Sequence, residues 1–504
     1  MTDTIKKRYF YRLGINILSI PISLITHSII PRALGPIAYG SYHFITNIFT
    51  EITGFFDSGT SNALYTKLSK RPHETKIVRF YWSFTFIILL TISLFVLSSF
   101  IFNYHSIIWI DQEKKYIMLG LCTSFIIMVS KVVIKIIDAY GLTVKGELNR
   151  IAQKVIGLGV IITLFIINKL NLYNFFLFQS GITITLIIMW SQVLRANGIK
   201  LFPNKKLSYV EIKNYSYEFY QYCFPLIIYG FISLLTAFMD RWLLQRISGS
   251  IEQGFYSFSY QIGALCFMFS YSMTSLFTRE ISVAHGKKDW HKIKNMVKMY
   301  LPMFYSISAV FCIFCFFQAE NIVFIMGGEK YKSAVIPVSI MLCYPIHQTW
   351  GQLCGSVFYS IDRTKLYRNI GVTSMLIGII ATYIFMAPRE YYGLQLGSTG
   401  LAVKMIITQL ILTNIQLWYI TKIVHISYFR LFAHQFLSIL CIGIISYLSK
   451  SISDMFFNNI IFSLIFSGVI YLFLLALLAY TYPSIFATDR EKIKFYLKFL
   501  KLNR

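Results

Sequence analysis

The sequence predicts an all-α integral membrane protein of about 14 transmembrane helices, arranged as two six-helix bundles followed by two extra C-terminal helices. Three observations predict this class. Of 504 residues, 56% are hydrophobic and only 13% charged, with a mean hydropathy of +0.60, and so much apolar surface exceeds what one soluble core can hide. The apolar residues fall in runs of roughly 20, the length that crosses a bilayer as a helix. Loops between the runs alternate between Lys/Arg-rich and nearly uncharged or charge-balanced, the asymmetry that orients spans with their basic loops in the cytoplasm. Retention of cations on that side accounts for most of the net charge of +26, so no nucleic-acid partner is expected.

The first run follows Lys6-Lys7-Arg8 and reaches Ile30. It mimics a signal peptide, yet no small-residue cleavage site follows and another span comes directly after it, so it reads as an uncleaved helix. Further runs lie near 38–60, 81–103, 116–138, 151–168 and 172–194. The longest polar connection, 196–217, holds Lys200, Lys205, Lys206 and Lys213 and reads as a cytoplasmic linker. Beyond it come runs near 219–240, 254–279, 299–318, 334–360, 369–387, 399–421, 431–449 and 460–481. The expected organisation is an N-terminal bundle over 1–195, the linker, a C-terminal bundle over 218–425, and two further spans with a basic cytoplasmic tail over 426–504. Both termini are then cytoplasmic. All eight cysteines lie within apolar runs, without the spacing of a disulfide framework.

An ungapped shift of 214 places Ser19 on Ser233, Thr26 on Asp240, His27 on Arg241, Gly40 on Gly254 and Tyr42 on Tyr256. Because the offset spans six crossings, the two halves repeat in parallel orientation.

Polar residues at membrane depth need a protein or water partner, and their helical spacing identifies the face that meets a cavity. In the first span Arg12, Asn16, Ser19, Ser23 and Thr26/His27 share one face; in the seventh, Tyr222, Tyr229, Ser233, Thr236 and Asp240 do so. Other spans add Lys131, Lys135 and Asp138 at i, i+4, i+7, Glu51 and Asp57 in the second, Lys404 in the twelfth, and the cluster His347, Gln348, Thr349 and Gln352. Arg12 and Lys135 lie near enough to helix ends to snorkel. Lys131 lies about two turns inside its span, where an unpaired ammonium costs roughly 2.5–3.5 kcal/mol. A cost of that size points to a use. His27 and His347 read mainly as satisfied structural groups.

No enzyme constellation is present. Gly327-Gly328-Glu329-Lys330 lacks the ending of a nucleotide-binding loop, and no metal-type spacing of Cys and His occurs. Neither cofactor nor metal is expected.

The run Met239-Asp240-Arg241-Trp242-Leu243-Leu244 followed by Gly254-Phe255-Tyr256-Ser257 resembles the signature region of polysaccharide-unit flippases of the Wzx or O-antigen type. Arg32-Ala33-Leu34-Gly35 with Tyr39-Gly40, Gly328-Glu329-Lys330-Tyr331-Lys332-Ser333-Ala334, and Ser360-Ile361-Asp362-Arg363-Thr364-Lys365 are similar to that family too. The resemblance implies the multidrug/oligosaccharidyl-lipid/polysaccharide exporter superfamily: two MATE-like six-helix bundles around a central cavity lined by the first and seventh spans. It also implies a bacterial inner-membrane protein that moves undecaprenyl-diphosphate-linked sugar units, of O-antigen or capsular type, to the outer leaflet. Polysaccharide polymerase and chain-length proteins are then its expected partners, beside membrane lipids.

A diphosphate headgroup needs compensating charge to cross hydrocarbon. Arg12, Arg32, Lys131, Lys135, Arg241 and Lys404 are the expected substrate-binding cations. Asn16, Ser23, Glu51, Asp57, Asp138 and Asp240 are the expected polar or ion-coupling groups. The alternatives are a MATE-type cation-coupled drug antiporter, which needs a dominantly acidic pocket, and a polysaccharide polymerase or ligase, which needs a large external loop.

Overall fold

The computed structural model describes residues 5–203 and 206–487, with the side chains of 5–13, 15–18, 225, 268–273, 275 and 276 outside the description. Two compact units are present, Met1–Gly254 and Phe255–Arg504.

The first unit contains α1 (Ile5–Asp57), α2 (Thr60–Lys70), α3 (Thr75–Ile101), the short α4 (His105–Ile108), α5 (Lys114–Ala139), α6 (Thr143–Ile166), α7 (Leu172–Ala196) and most of α8 (Tyr209–Leu265). The runs expected near 81–103, 116–138, 151–168 and 172–194 are α3, α5, α6 and α7. α3 shows how such a helix is placed. One face, including Ile77, Tyr81 and Ile88, is buried, while Phe86, Leu90, Leu94 and Leu97 are exposed. A helix apolar on both its packed and its open face suits hydrocarbon. Trp190 of α7 spans the core and donates its indole N–H to the Gly146 carbonyl at 3.0 Å, so the one polar atom of a buried side chain is satisfied.

The first two expected spans are two helices that meet without a loop at Gly35, whose φ 71 and ψ 170 are non-helical, and together they make up the stretch α1. α8 likewise joins two helices across a non-helical Gly249, φ 77 and ψ −174. Positive φ is open to glycine at little cost, so each break sits on the one residue type that tolerates it. The breaks are 214 residues apart (249 − 35), the offset of the sequence repeat. Five residues beyond each break the backbones touch. A Cβ built on Gly40 would lie 1.9 Å from the Ser250 carbonyl oxygen, and one on Gly254 would lie 2.2 Å from the Pro36 carbonyl oxygen.

The expected linker differs from what is observed. From Tyr209 onward it is helix, and the compact units divide at 254/255. The physical reason lies on one face of early α8. Glu218 accepts from Lys67 Nζ at 2.8 Å and from Arg71 Nη2 at 2.7 Å, Glu211 pairs with Lys76 at 2.5 Å, and the Tyr215 hydroxyl donates to Glu74. These residues stand at i, i+4, i+7, one helix face. Hydrogen bonds from Lys67 and Arg71 hold the Glu218 carboxyl below the usual carboxylate range. A depressed carboxyl pKa contributes stability that is present at neutral pH and is lost as pH falls through the lowered value.

The second unit holds the end of α8 with α9 (Met268–Gly286), α10 (Trp290–Phe317), α11 (Ala319–Gly327), α12 (Val335–Ser360), α13 (Thr364–Met386), α14 (Gly397–Val424), α15 (Tyr428–Phe456) and α16 (Ile460–Thr481). α10, α12, α13, α14, α15 and α16 occupy the six runs expected from 299 to 481. Its core is aromatic and aliphatic, with Trp350, Tyr305 and Phe358 fully buried among Leu301, Leu353 and Val357. The Trp350 indole donates to the Leu301 carbonyl, tying α12 to α10.

The protein is an all-α, multi-pass membrane protein. Among the described residues, ten helices are long and apolar enough to cross a bilayer. α12 falls outside that group. α12 carries its polar cluster, and His347 is packed against Tyr305 with the hydroxyl 3.5 Å from Nδ1, which makes it a structural group.

Candidate functional site

The first unit gathers charged side chains from α1, α5, α6 and α8 at membrane depth. Arg241 is at its centre, 9% exposed. It lies on α8 eight residues before the Gly249 break, and Gln253, just past the break, clamps it from two directions. Arg241 Nη1 donates to Gln253 Oε1 at 3.2 Å, and Gln253 Nε2 donates back to the Arg241 carbonyl. The reversal of the chain at Gly249 allows this pairing, because on one straight helix residues twelve apart stand about 18 Å apart.

Glu51 of α1 lies within Coulombic reach of Arg241, Lys131 and Asp240, so four of the residues expected from sequence share one electrostatic neighbourhood. His43, wedged between Tyr39 and Tyr42 with ring centroids at 4.4 and 5.2 Å, is within reach of Arg241 and of His27. His27 is in turn within reach of Lys154. Lys154 Nζ donates to Ser23 Oγ at 3.4 Å. A string of polar groups therefore runs along α1, from Ser23 and His27 through His43 to Glu51, with cations from three other helices beside it.

The remaining expected residues are distributed as follows. Lys131 is exposed and Lys135 half-buried on α5. Lys135 Nζ donates to Asn62 Oδ1 at 2.8 Å and sits 6.0 Å from the Tyr65 ring centroid. Asp138 is half-buried, and one of its carboxylate oxygens is enclosed without a hydrogen-bond partner. Arg32 is exposed near the α1 break. Lys404 is buried in the second unit, 3% exposed on α14. The side chains of Arg12 and Asn16 lie outside the described residues.

Asp57 has a local role. Its carboxylate accepts from the Ser61 amide at 2.8 Å and from the Thr60 and Ser61 hydroxyls at 2.9 Å, with Tyr81 OH at 3.3 Å. It caps the start of α2. Asp57→Ala is therefore expected to lower stability by about 1 kcal/mol, as loss of an N-cap does, while transport in the folded fraction is kept. Thermal unfolding in detergent measures the first effect and vesicle transport the second.

His43, Glu147 and Lys154 are site residues that sequence reasoning did not single out. A run starting at 151 places Lys154 at a span end, whereas the helix starts at Thr143, which puts Lys154 three turns inside. Glu147, 2% exposed, is held by Arg150 at 3.1 Å. With Asp57 capping a helix and Glu147 paired to Arg150, the cations Lys131, Lys135, Lys154 and Arg241 outnumber Glu51, Asp138 and Asp240 among the described residues of this neighbourhood. The balance is only mildly positive.

These features define the class, a multi-pass helical membrane protein whose first unit gathers charged side chains within its helices. The fold is similar to that of the lipid II flippase MurJ in its inward closed conformation, with a TM-score of 0.67 at 14% identity over 93% of this chain and 98% of that one. It is also similar to an inward-facing multidrug resistance MATE family transporter of the MOP superfamily, with a TM-score of 0.60 at 15% identity over 83% of this chain and 98% of that one. A MOP superfamily transporter from Pyrococcus furiosus has a TM-score of 0.57 at 13% identity over 83% and 96% of the two chains. At these identities the likeness is one of fold. Residues 5–277, more than half of the chain, match the family model of polysaccharide biosynthesis proteins, and the chain belongs to that family. Residues 225–384 also match the MatE model. No curated protein matches the chain significantly.

Proposed function

We propose that this protein is a flippase that carries undecaprenyl-diphosphate-linked oligosaccharide repeat units from the cytoplasmic to the outer leaflet by alternating access. The observation that carries the reading is the cluster of Arg241, Lys131, Glu51 and Asp240 at membrane depth in a polysaccharide-biosynthesis family member. Buried charge is costly in hydrocarbon and is retained where it serves a polar cargo. Arg241 and Lys131 supply donors for phosphate oxygens, with the fork of Arg241 suited to two at once. Glu51 and Asp240 hold these cations in place when no cargo is bound and release them to it when it arrives.

Both termini are assigned to the cytoplasm from the loop cations. With an inside-negative potential, moving about two negative charges outward is then downhill by roughly 4–5 kcal/mol per 100 mV. The membrane potential thus drives net export without a nucleotide. The chain acts as a transporter rather than an enzyme, with the polyprenyl-linked glycan as its partner.

The test is transport in vesicles reconstituted with purified protein and a lipid-linked oligosaccharide, read as exposure of the sugar to an impermeant glycosidase. Wild-type protein is expected to expose the glycan in a potential-dependent way, and Lys131→Ala to slow this about tenfold. Efflux of cationic dyes without glycan exposure would instead make the protein a drug antiporter.

A further inference from the structure

A cavity of the second unit is lined by none of the cations expected to bind the cargo. It has a volume of about 650 Å³ and is walled by the first turns of α10, the first turns of α15 and the turn that follows α16. Its polar lining includes Lys298, Arg430, Asn295 and Ser484; its apolar lining includes Met299 and Leu437. Among the described residues no carboxylate lines it. Lys298 and Arg430 are exposed and make no ion pair with a described residue. The cavity is a built feature. His434 Nε2 lies 2.8 Å from the Ile485 carbonyl, and the Ser306 hydroxyl donates to the same carbonyl, so the turn after α16 is fastened against α10 and α15.

Position and chemistry agree on the occupant. α10 and α15 begin, and α16 ends, at one face of the membrane, the face to which the loop cations assign the cytoplasm. Lys298 stands eight residues into α10, about 12 Å along its axis, within the depth at which lysines reach lipid headgroups. The volume is in the range of roughly 300–1,000 Å³ typical of small-molecule sites. Two exposed cations with no ion pair to a described residue, beside the exposed apolar side chain of Leu437 and the half-buried Met299, match a molecule with an anionic phosphate and hydrocarbon chains.

We infer that this cavity binds the phosphate headgroup of an anionic membrane lipid, with Lys298 and Arg430 as its charge partners and Met299 and Leu437 against the first methylenes of its chains. The site shares no residue with the proposed cargo site and is assayed without transport, so either reading stands or falls alone.

The experiment uses the full chain in neutral detergent, with retained phosphatidylglycerol and phosphatidylcholine measured by native mass spectrometry. Wild-type protein is expected to retain phosphatidylglycerol at least tenfold over phosphatidylcholine. The Lys298→Gln/Arg430→Gln double variant should lose about tenfold of that preference, and Lys298→Arg/Arg430→Lys should keep it. Lys330→Gln/Lys332→Gln, a control elsewhere on the unit, should leave it unchanged, and circular dichroism should show all variants equally helical. Equal retention by the neutralised variant, or equal loss in the control, would overturn the proposal. Displacement of the lipid by equimolar glycerol 1-phosphate would also overturn it, in favour of a soluble phosphate compound.

Discussion

Gly40→Val is expected to leave little or no folded protein in the membrane. The added Cβ would sit 1.9 Å from the Ser250 carbonyl oxygen and 2.6 Å from the Gly254 amide nitrogen. Both are backbone atoms of a helix, so no rotamer change relieves the clash, and the helices must separate. Overpacking of a tight core costs roughly 1–3 kcal/mol even where side chains can give way; here the cost is expected above that range. Gly254→Ala should act alike, because its Cβ would meet the Pro36 carbonyl oxygen at 2.2 Å. Gly181→Val is the matched control, since nothing lies within 4 Å of a Cβ at that position. Thermal unfolding monitored by size exclusion should show a large drop for Gly40→Val and Gly254→Ala and almost none for Gly181→Val. A Gly40→Val protein as stable as wild type would refute the close helix crossing.

Arg241→Ala is expected to reduce glycan transport about a hundredfold, the largest functional effect of any single substitution. The guanidinium is nearly enclosed, is clamped by Gln253, and lies within Coulombic reach of Glu51 and of His43. Its removal takes away the fork that would grip phosphate oxygens and leaves Gln253 Oε1 without its donor. Leaving a buried polar group unsatisfied costs about 1–3 kcal/mol, so the folded fraction must be measured alongside. Adding Glu51→Gln to Arg241→Ala should restore stability without restoring transport, which separates the two roles. Arg241→Lys keeps the charge but loses the planar fork, and is expected to transport slowly. Full transport in folded Arg241→Ala protein would remove Arg241 from the mechanism.

The legible part of the fold was whatever depends on local composition. The runs near 172–194 and 460–481 correspond to α7 (Leu172–Ala196) and α16 (Ile460–Thr481) within two residues, since hydropathy over one helix is a sum over neighbours in sequence. The repeat was legible for a similar reason, as an ungapped shift carries Gly35 onto Gly249 without reference to any contact. The site was legible only in part. Glu51, Lys131, Asp240 and Arg241 stood out because charge in hydrocarbon is rare, but Lys154 was hidden by a helix start eight residues earlier than expected. Asp57 looked like the others in sequence. Only the fold shows its carboxylate occupied by Ser61 and Thr60.

By itself the sequence determined that this chain lives in a membrane, where most of its spans lie, and that its halves repeat, because each follows from transfer free energies and periodicities read along the chain. Tertiary structure alone decided that the first two spans meet at Gly35 without a loop, that Gly40 and Gly254 lie in contact, and that α8 packs its early turns in the first unit through Glu218. It also decided which charges meet. Pairing of side chains depends on the rotation and spacing of helices far apart in sequence, where a shift of one residue turns a helix by about 100° and carries a charge to another face.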